Sequence, residues 1–310
     1  MQFTLQKECY RAFGLNIQSE IPLPELPILT NSSEEFDTVI QLRDLKELWN
    51  KEPEPNCYFK VSENSVLFQI PDTAIFLVEN GERIIVSPRD GASEDKIRLY
   101  VLGTCMGALL MQRKILPLHG SAIAIKGRAY AIVGDAGAGK STLASAFLNK
   151  GYQLLSDDVI PIALSKENIA MVTPAYPQQK LWQESITAFG MEPTKYKPIF
   201  ERETKYAVPV TSRFSSESIP LSGVIELVKT DSNEIELIPL SGLQRIYTLF
   251  NHTYRNFLID RLGLREWHFS LTSNLANKIE HYQLQRPVNR FTASELTFLI
   301  LNTIERGEKE

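Results

Sequence analysis

Through roughly the first ninety residues, apolar and polar positions alternate in short runs broken by turn residues, the period of half-buried strands. Candidate strands are Leu15–Gln18, Asp37–Leu42, Cys57–Val61, Ser65–Ile70, Ala74–Val78 and Arg83–Val86. Asn31-Ser32-Ser33, Glu63-Asn64 and Asn80-Gly81 mark turns among them. The stretch Ile21-Pro22-Leu23-Pro24-Glu25-Leu26-Pro27 reads as extended chain, a structural edge rather than a recognition ligand. From Ser93 the period changes. Ser93 caps a helix with Glu94 and Asp95 in its first turn, and Ile97, Val101, Cys105 and Ala108 repeat at helical spacing to about Gln112. A domain boundary is expected just before it, giving a β-rich module over 1–92 and a second domain over 93–310.

The second domain mixes both periods, so the fold class expected is α/β. Leu118–Ile125 and Arg128–Val133 read as strands around the turn Lys126-Gly127, and Thr142–Lys150 as a helix closed by Gly151. A short strand, Tyr152–Leu155, ends at Ser156-Asp157-Asp158, with Val159–Leu164 continuing as extended chain. Gly223–Lys229 and Glu234–Leu240 have the pattern of a hairpin. Helical patterns follow around Gly242–Asn251, Tyr254–Leu262 and Ser273–Lys278, then a strand at Tyr282–Gln285 and a closing helix at Ala293–Arg306.

Between the second strand and its helix lies Gly134-Asp135-Ala136-Gly137-Ala138-Gly139-Lys140-Ser141, a full G-x-x-x-x-G-K-[ST] phosphate loop, followed by Thr142. Its glycines let the backbone curl around a polyphosphate, and the amides and positive end of the helix favour the negative charge. In such a loop Lys140 reaches the β- and γ-phosphates and the Ser141 hydroxyl holds Mg²⁺. ATP and Mg²⁺ are the cofactors expected.

Composition narrows the partners. Net charge −4 and pI near 5.8 give no electrostatic footprint for nucleic acid, so phosphate binding must be local. Cys9, Cys57 and Cys105 are far apart and odd in number, which suits a reducing cytosol and argues against a disulfide framework or a structural zinc site. The first residues lack a secretory signal, and the longest uncharged run, Leu99 to Gln112, is too short to span a bilayer. The expectation is a cytoplasmic protein with no membrane or nucleic-acid partner, free to form a homo-oligomer.

Asp157-Asp158 follows an apolar strand next in sequence after the loop's helix, so it emerges at the sheet edge where phosphate loops lie. One carboxylate can help hold the metal while the other accepts a proton from an attacking hydroxyl. His119 opens the strand two before the loop, and antiparallel pairing with Arg128–Val133 would leave it beside the phosphates.

His119-Gly120, then Gly134-Asp135-x-Gly137-x-Gly139-Lys140-Ser141, then Gly151-Tyr152-x-Leu154-x-x-Asp157-Asp158 together resemble the core of HPr kinase/phosphorylase. The resemblance covers about Leu118 to Ile162 and implies a PEP carboxykinase-like P-loop kinase domain with a mixed sheet. It implies that Asp157 is the general base for a serine hydroxyl, that Lys140 stabilises the transferring phosphoryl group, and that Ser141 is a Mg²⁺ ligand. His119 is then an active-site contact, and Asp158 an auxiliary metal or orienting group. The family's L-E-I-R-G-x-G segment and its arginine-bearing phosphorolysis loop are not found here. Ala12-Phe13-Gly14-Leu15-Asn16-Ile17-x-Ser19-Glu20-x-Pro22-Leu23-Pro24-Glu25-Leu26 instead resembles the HPr kinase-like proteins of peptide-biosynthesis clusters, including lasso-peptide pathways. Those phosphorylate the C-terminal serine of a precursor peptide, which makes such a peptide the partner expected.

Lys180, Lys205, Arg286 and Arg290 are further cations that could reach a phosphate or a peptide carboxylate; His252, His268 and His281 lack metal-ligand spacing and read as structural. A GTPase reading fails because Asn277-Lys278-Ile279-Glu280 lacks the guanine-reading aspartate, and a transport ATPase would carry an L-S-G-G-Q-like signature. HPr phosphorylation, a small-molecule kinase and a nucleotide-binding regulatory module stay open as alternatives.

Overall fold

A computed structural model of the chain describes residues 7–30, 35–51, 58–199 and 202–307. The turn Asn31-Ser32-Ser33 and Cys57, the first residue of one expected strand, lie outside them. The architecture is mixed α/β with mixed sheets. Two compact units make up the chain, Met1–Pro117 with Tyr254–His268, and Leu118–Thr253 with Phe269–Glu310.

The first unit carries strands β1 (Glu8–Ala12), β2 (Leu15–Ser19), β3 (Thr38–Leu42), β4 (Phe59–Ser62), β5 (Ser65–Ile70), β6 (Ala74–Glu79) and β7 (Arg83–Pro88), with a short helix α1 (Lys46–Asn50). They form one sheet in the order β1-β2-β3-β7-β6-β5-β4. β2–β3 and β3–β7 pair in parallel and the other neighbours antiparallel. The β1–β2 turn is the two-residue Phe13-Gly14, both at positive φ as a two-residue hairpin of this hand requires, and the β6–β7 turn is the three-residue Asn80-Gly81-Glu82, with Asn80 and Gly81 at positive φ. β1 was not expected; its apolar positions are too few to show the alternation. The proline-rich stretch is structural: Ile21, Leu23 and Leu26 are buried, and Leu23 N–H donates to Tyr10 Oη at 2.8 Å.

Phe59, Phe68 and Phe76 stack across neighbouring strands at 5.0 and 4.9 Å, and Tyr100 extends the row at 5.8 Å. Tyr100 ends helix α2 (Glu94–Tyr100), which runs through a π-helical turn, Val101–Cys105, into α3 (Met106–Gln112). This helical run was expected to open the second domain. It lies in the first unit because its buried residues, among them Val101, Met106, Leu109 and Leu110, pack on β6. Gly107 is there for space: a Cβ would stand 2.6 Å from the Tyr254 ring. Ser93 begins the helix but its hydroxyl makes no capping hydrogen bond.

The second unit is built on strands β8 (Leu116–Ile125), β9 (Arg128–Val133), β10 (Gln153–Leu164) and β11 (Ala170–Val172). β12 (Gln178–Trp182), β13 (Lys197–Ile199), β14 (Arg202–Pro209), β15 (Ile219–Thr230), β16 (Glu236–Pro239) and β17 (Glu280–Pro287) follow. The main sheet runs β11-β10-β8-β9-β15-β17-β16, and β11 also pairs with β15, so the sheet bends back on itself. β12, β14 and β13 form a separate antiparallel sheet. The helices of this unit are α4 (Lys140–Asn149), α5 (Gln183–Ala188), α6 (Leu243–Asn251) and α9 (Ala293–Gly307); α7 (Phe257–Arg261) belongs to the first unit, and α8 (Arg265–Lys278) begins in the first unit and ends in the second. α4 and α9 pack together against one face of the main sheet, burying Leu143, Phe147, Ile132, Ile225, Leu284, Leu296 and Ile300 in one core. No helix among the described residues is long and apolar enough to cross a membrane.

Two expectations are corrected here. The segments 223–229 and 234–240 are not a hairpin, because β17 inserts between β15 and β16, parallel to one and antiparallel to the other. Local pattern fixes that two strands exist; which partner each takes is a non-local choice. The strand before the acidic pair also does not stop there. β10 runs straight through Asp157 and Asp158 for 12 residues, since Val159, Ile160 and Ile162 continue its buried pattern.

Candidate active site

β8 and β9 form the hairpin expected around Lys126-Gly127, and their register sets Gly120 opposite Val133, the last residue before the phosphate loop. His119 is therefore level with Gly134. Gly120 must be glycine: a Cβ would lie 2.2 Å from the Ile132 carbonyl oxygen. Gly134 has φ +143 and a Cβ there would lie 2.5 Å from the Leu227 carbonyl oxygen of β15. Between these constraints the loop rises with Asp135, Ala136 and Gly137 exposed at its crest and returns through Gly139, φ +106, into α4. Ala138 is buried beneath it. The free N–H groups of the first turn of α4 then face the loop, an arrangement suited to an anion.

Lys140 begins α4 and folds back over the loop, donating from Nζ to the carbonyls of Gly134 at 2.7 Å and Asp135 at 3.0 Å. Burial pushes its pKa down; Asp157 and Asp158 oppose that shift. Arg286, at the end of β17, braces the loop from the other side. Its Nε donates to Ala138 O at 2.7 Å, and its guanidinium lies 3.5 Å from where a Cβ on Gly139 would stand. Thr142 Oγ1 and Ser185 Oγ share a hydrogen bond of 2.7 Å, tying α4 to α5.

Consecutive residues of a strand normally point to opposite faces. Asp158 has φ +88, a sparsely populated conformation for a residue with a side chain, inside an otherwise extended strand. This local turn brings both carboxylates to the loop's side. The His119 ring holds it, with Nδ1 3.0 Å from the Asp158 carbonyl oxygen and 3.5 Å from Oδ1.

The two carboxylates then have different surroundings. Asp157 is 3% exposed. Its Oδ1 accepts from Ser141 Oγ at 2.9 Å and from Ser121 Oγ, and its Oδ2 accepts from Lys180 N–H at 2.8 Å. Asp158 is more open, with 21% of its side chain exposed, and its Oδ2 accepts from Lys180 Nζ at 2.6 Å. Burial alone would raise the Asp158 carboxyl, but Lys180, His119 and Lys205 outweigh it and hold the pKa at about 2. His119 is pushed below its ordinary value by burial, which Asp158 partly offsets.

The residues fit a magnesium nucleotide. Mg²⁺ is commonly bound through one or two carboxylates plus substrate phosphates rather than by an all-protein cage. Ser141 and Asp157 supply such a partial set at the foot of the loop. Among the described residues no group of three or more His, Cys, Asp or Glu is arranged to hold a metal by itself.

The structure thus brings Lys140, Ser141, Asp157, Asp158 and His119 together at the loop. The remaining cations divide. Lys180 and Arg286 join the site, and Lys205, opposite Trp182 with its ammonium 5.4 Å from that ring, sits close enough to influence Asp158 and Lys140. Arg290 pairs with Glu295 elsewhere. His252, His268 and His281 are buried; His252 Nε2 lies 2.9 Å from Glu226 Oε1, and the His252 carbonyl accepts the His119 N–H at 2.7 Å. Ser121 was missed by sequence reasoning, although its two-residue offset from His119 puts it on the same strand face.

No family model matches the chain. A stretch of 70 residues, 22% of the chain, is 36% identical to HPr kinase/phosphorylase of Mycoplasmopsis pulmonis and spans 23% of that protein's length. The HPr(Ser) kinase/phosphatase from Coxiella burnetii superposes with a TM-score of 0.36 and 16% identity, over 62% of this chain and 93% of that one. Over the 70-residue stretch, under a quarter of the curated protein, this chain is homologous to HPr kinase/phosphorylase.

Proposed function

We propose that this protein is an ATP- and Mg²⁺-dependent kinase that phosphorylates a serine hydroxyl, with a ribosomally made precursor peptide as acceptor. The observation that carries the reading is the Ser141–Asp157–Asp158 arrangement at the foot of a glycine cradle, with Lys140 over the loop. The peptide acceptor is supported by the resemblance of residues 12–26 to peptide-cluster kinases.

In this reading Asp157 and Ser141 hold the metal, and Asp158 accepts the proton of the attacking hydroxyl. This exchanges the roles that the resemblance implies for the two aspartates. What supports the exchange is access. Asp157 is buried and bonded to the Ser141 hydroxyl, whereas Asp158 is the more exposed carboxylate and is ionised across the physiological range. Bound Mg²⁺ offsets phosphate charge. The loop amides and Lys140 orient the terminal phosphate, while His119 keeps Asp158 turned toward the loop. Because phosphoryl transfer has a loose transition state, positioning and electrostatics supply most of the acceleration, so a weakly basic carboxylate suffices.

Incubation with γ-labelled ATP, Mg²⁺ and a panel of serine-ending peptides, with HPr and free serine as comparators, tests it. Label on a peptide serine, lost in Lys140→Ala with folding intact, is expected. Nucleotide binding without transfer to any acceptor would leave only a binding module.

A further inference from the structure

Lys180 is the one residue of β12 that reaches both aspartates. Its main-chain N–H donates to Asp157 Oδ2 at 2.8 Å while its ammonium donates to Asp158 Oδ2 at 2.6 Å. Its side chain is 11% exposed, so this is a largely dehydrated ion pair rather than a surface contact. The preceding residue pins the same strand. Buried Gln179 accepts from Ser145 Oγ at 2.9 Å and donates to the Ser141 carbonyl at 3.4 Å, both on α4. β12 is thereby fastened to the helix that begins at the phosphate loop, and Lys180 projects from it toward the acidic pair.

Two adjacent carboxylates beside a triphosphate present a repulsion problem. Asp157 is served by neutral donors, two hydroxyls and an amide. Asp158 is served by a full positive charge. Lys140 cannot take that duty while it is bonded to the loop carbonyls.

We infer that Lys180 is a positioning residue of this site: it neutralises Asp158 and fixes it toward the acceptor, so that a polyphosphate can sit beside two consecutive carboxylates. The inference rests on the kinase reading for its purpose, but the pair itself can be measured without any ligand. In that state Lys180 stands in for positive charge that the metal brings with the nucleotide. Losing it should therefore matter most when the metal is absent.

The test has two arms. In the first, urea denaturation of Lys180→Met, Asp158→Asn and the double variant is measured without nucleotide. The double variant should lose less stability than the sum of the singles, since it removes both charges; additive losses would overturn the pair. In the second, ATP binding is measured in EDTA and in Mg²⁺. Lys180→Met should weaken metal-free binding roughly tenfold and Mg²⁺–ATP binding less than about threefold. Turnover should fall roughly 10- to 100-fold with little change in KM for ATP, and Lys180→Arg should recover most of it. Equal weakening of both nucleotide forms, or an arginine variant no better than methionine, would overturn the assignment. A wild-type protein that binds nucleotide but transfers no phosphate sinks the kinase reading alone, because the first arm and the binding comparison still decide Lys180.

Discussion

Replacing Asp157 with asparagine removes one negative charge while keeping the side chain's size and shape. The structure shows what else it disturbs. Asp157 accepts from two hydroxyls, Ser121 and Ser141, and one amide, Lys180 N–H. Asparagine can keep the amide bond by turning its oxygen to Lys180, and both hydroxyls can rotate to accept from its NH₂ group. Three charge-assisted bonds become neutral ones, so the folded state should lose about 1–2 kcal/mol. That leaves the protein folded at neutral pH, and any larger effect on turnover reports the site. Removing one preorganised electrostatic stabiliser costs roughly 10²–10³ in kcat. Asp157→Asn should therefore lower kcat by about that factor and raise the Mg²⁺ concentration for half-maximal rate at least about tenfold. Asp158→Asn should lower kcat comparably and leave the Mg²⁺ requirement within about threefold. A continuous ADP-release assay titrated with Mg²⁺ at saturating ATP reads both. The opposite pattern, with the Mg²⁺ requirement moving in Asp158→Asn and not in Asp157→Asn, would refute the assignment argued from access.

Gly120→Ala places a Cβ 2.2 Å from a backbone oxygen of the neighbouring strand, so the β8–β9 register must shift; a loss of more than about 3 kcal/mol in urea denaturation is expected, and near-wild-type stability would contradict the packing. Lys140→Ala should abolish transfer, read as a loss of at least about 10² in kcat, with the circular dichroism melt shifted only slightly. Stability should also fall in mild acid. Burial depresses His268 and His281 to about 4, whereas in the unfolded chain they titrate near 6.5. Between those values the unfolded state binds more protons, so stability rises with pH, and each histidine removes about 2 kcal/mol between pH 7 and pH 5. The slope of unfolding free energy against pH should flatten in His281→Gln, and an unchanged slope would show that another group is responsible.

The phosphate loop, its flanking strand and helix, and the β8–β9 hairpin were legible in the sequence because each is a local agreement of period, turn residues and glycine placement. The alternating N-terminal strands and the closing helix were legible for the same reason. Other features were not. β12 to β14 carry mixed polar and apolar residues and no clean alternation, so the sheet that bears Lys180 left no signal in the pattern. The partner of β15 was misread because strand pairing depends on β17, some fifty residues further along the chain, and no local window contains it.

By itself, the sequence determined that a glycine-rich loop joins a strand to a helix, and that an acidic pair and a histidine lie close enough in the chain's β-strand order to join it. Only the tertiary structure decided how the two aspartates divide their contacts. A positive φ at Asp158 turns consecutive side chains to one side, burial separates the one bonded to Ser141 from the one bonded to Lys180, and β12 arrives from a separate sheet to hold both. Spacing along a chain carries information about local geometry; solvent access and long-range charge pairing come into existence only when distant strands are packed together.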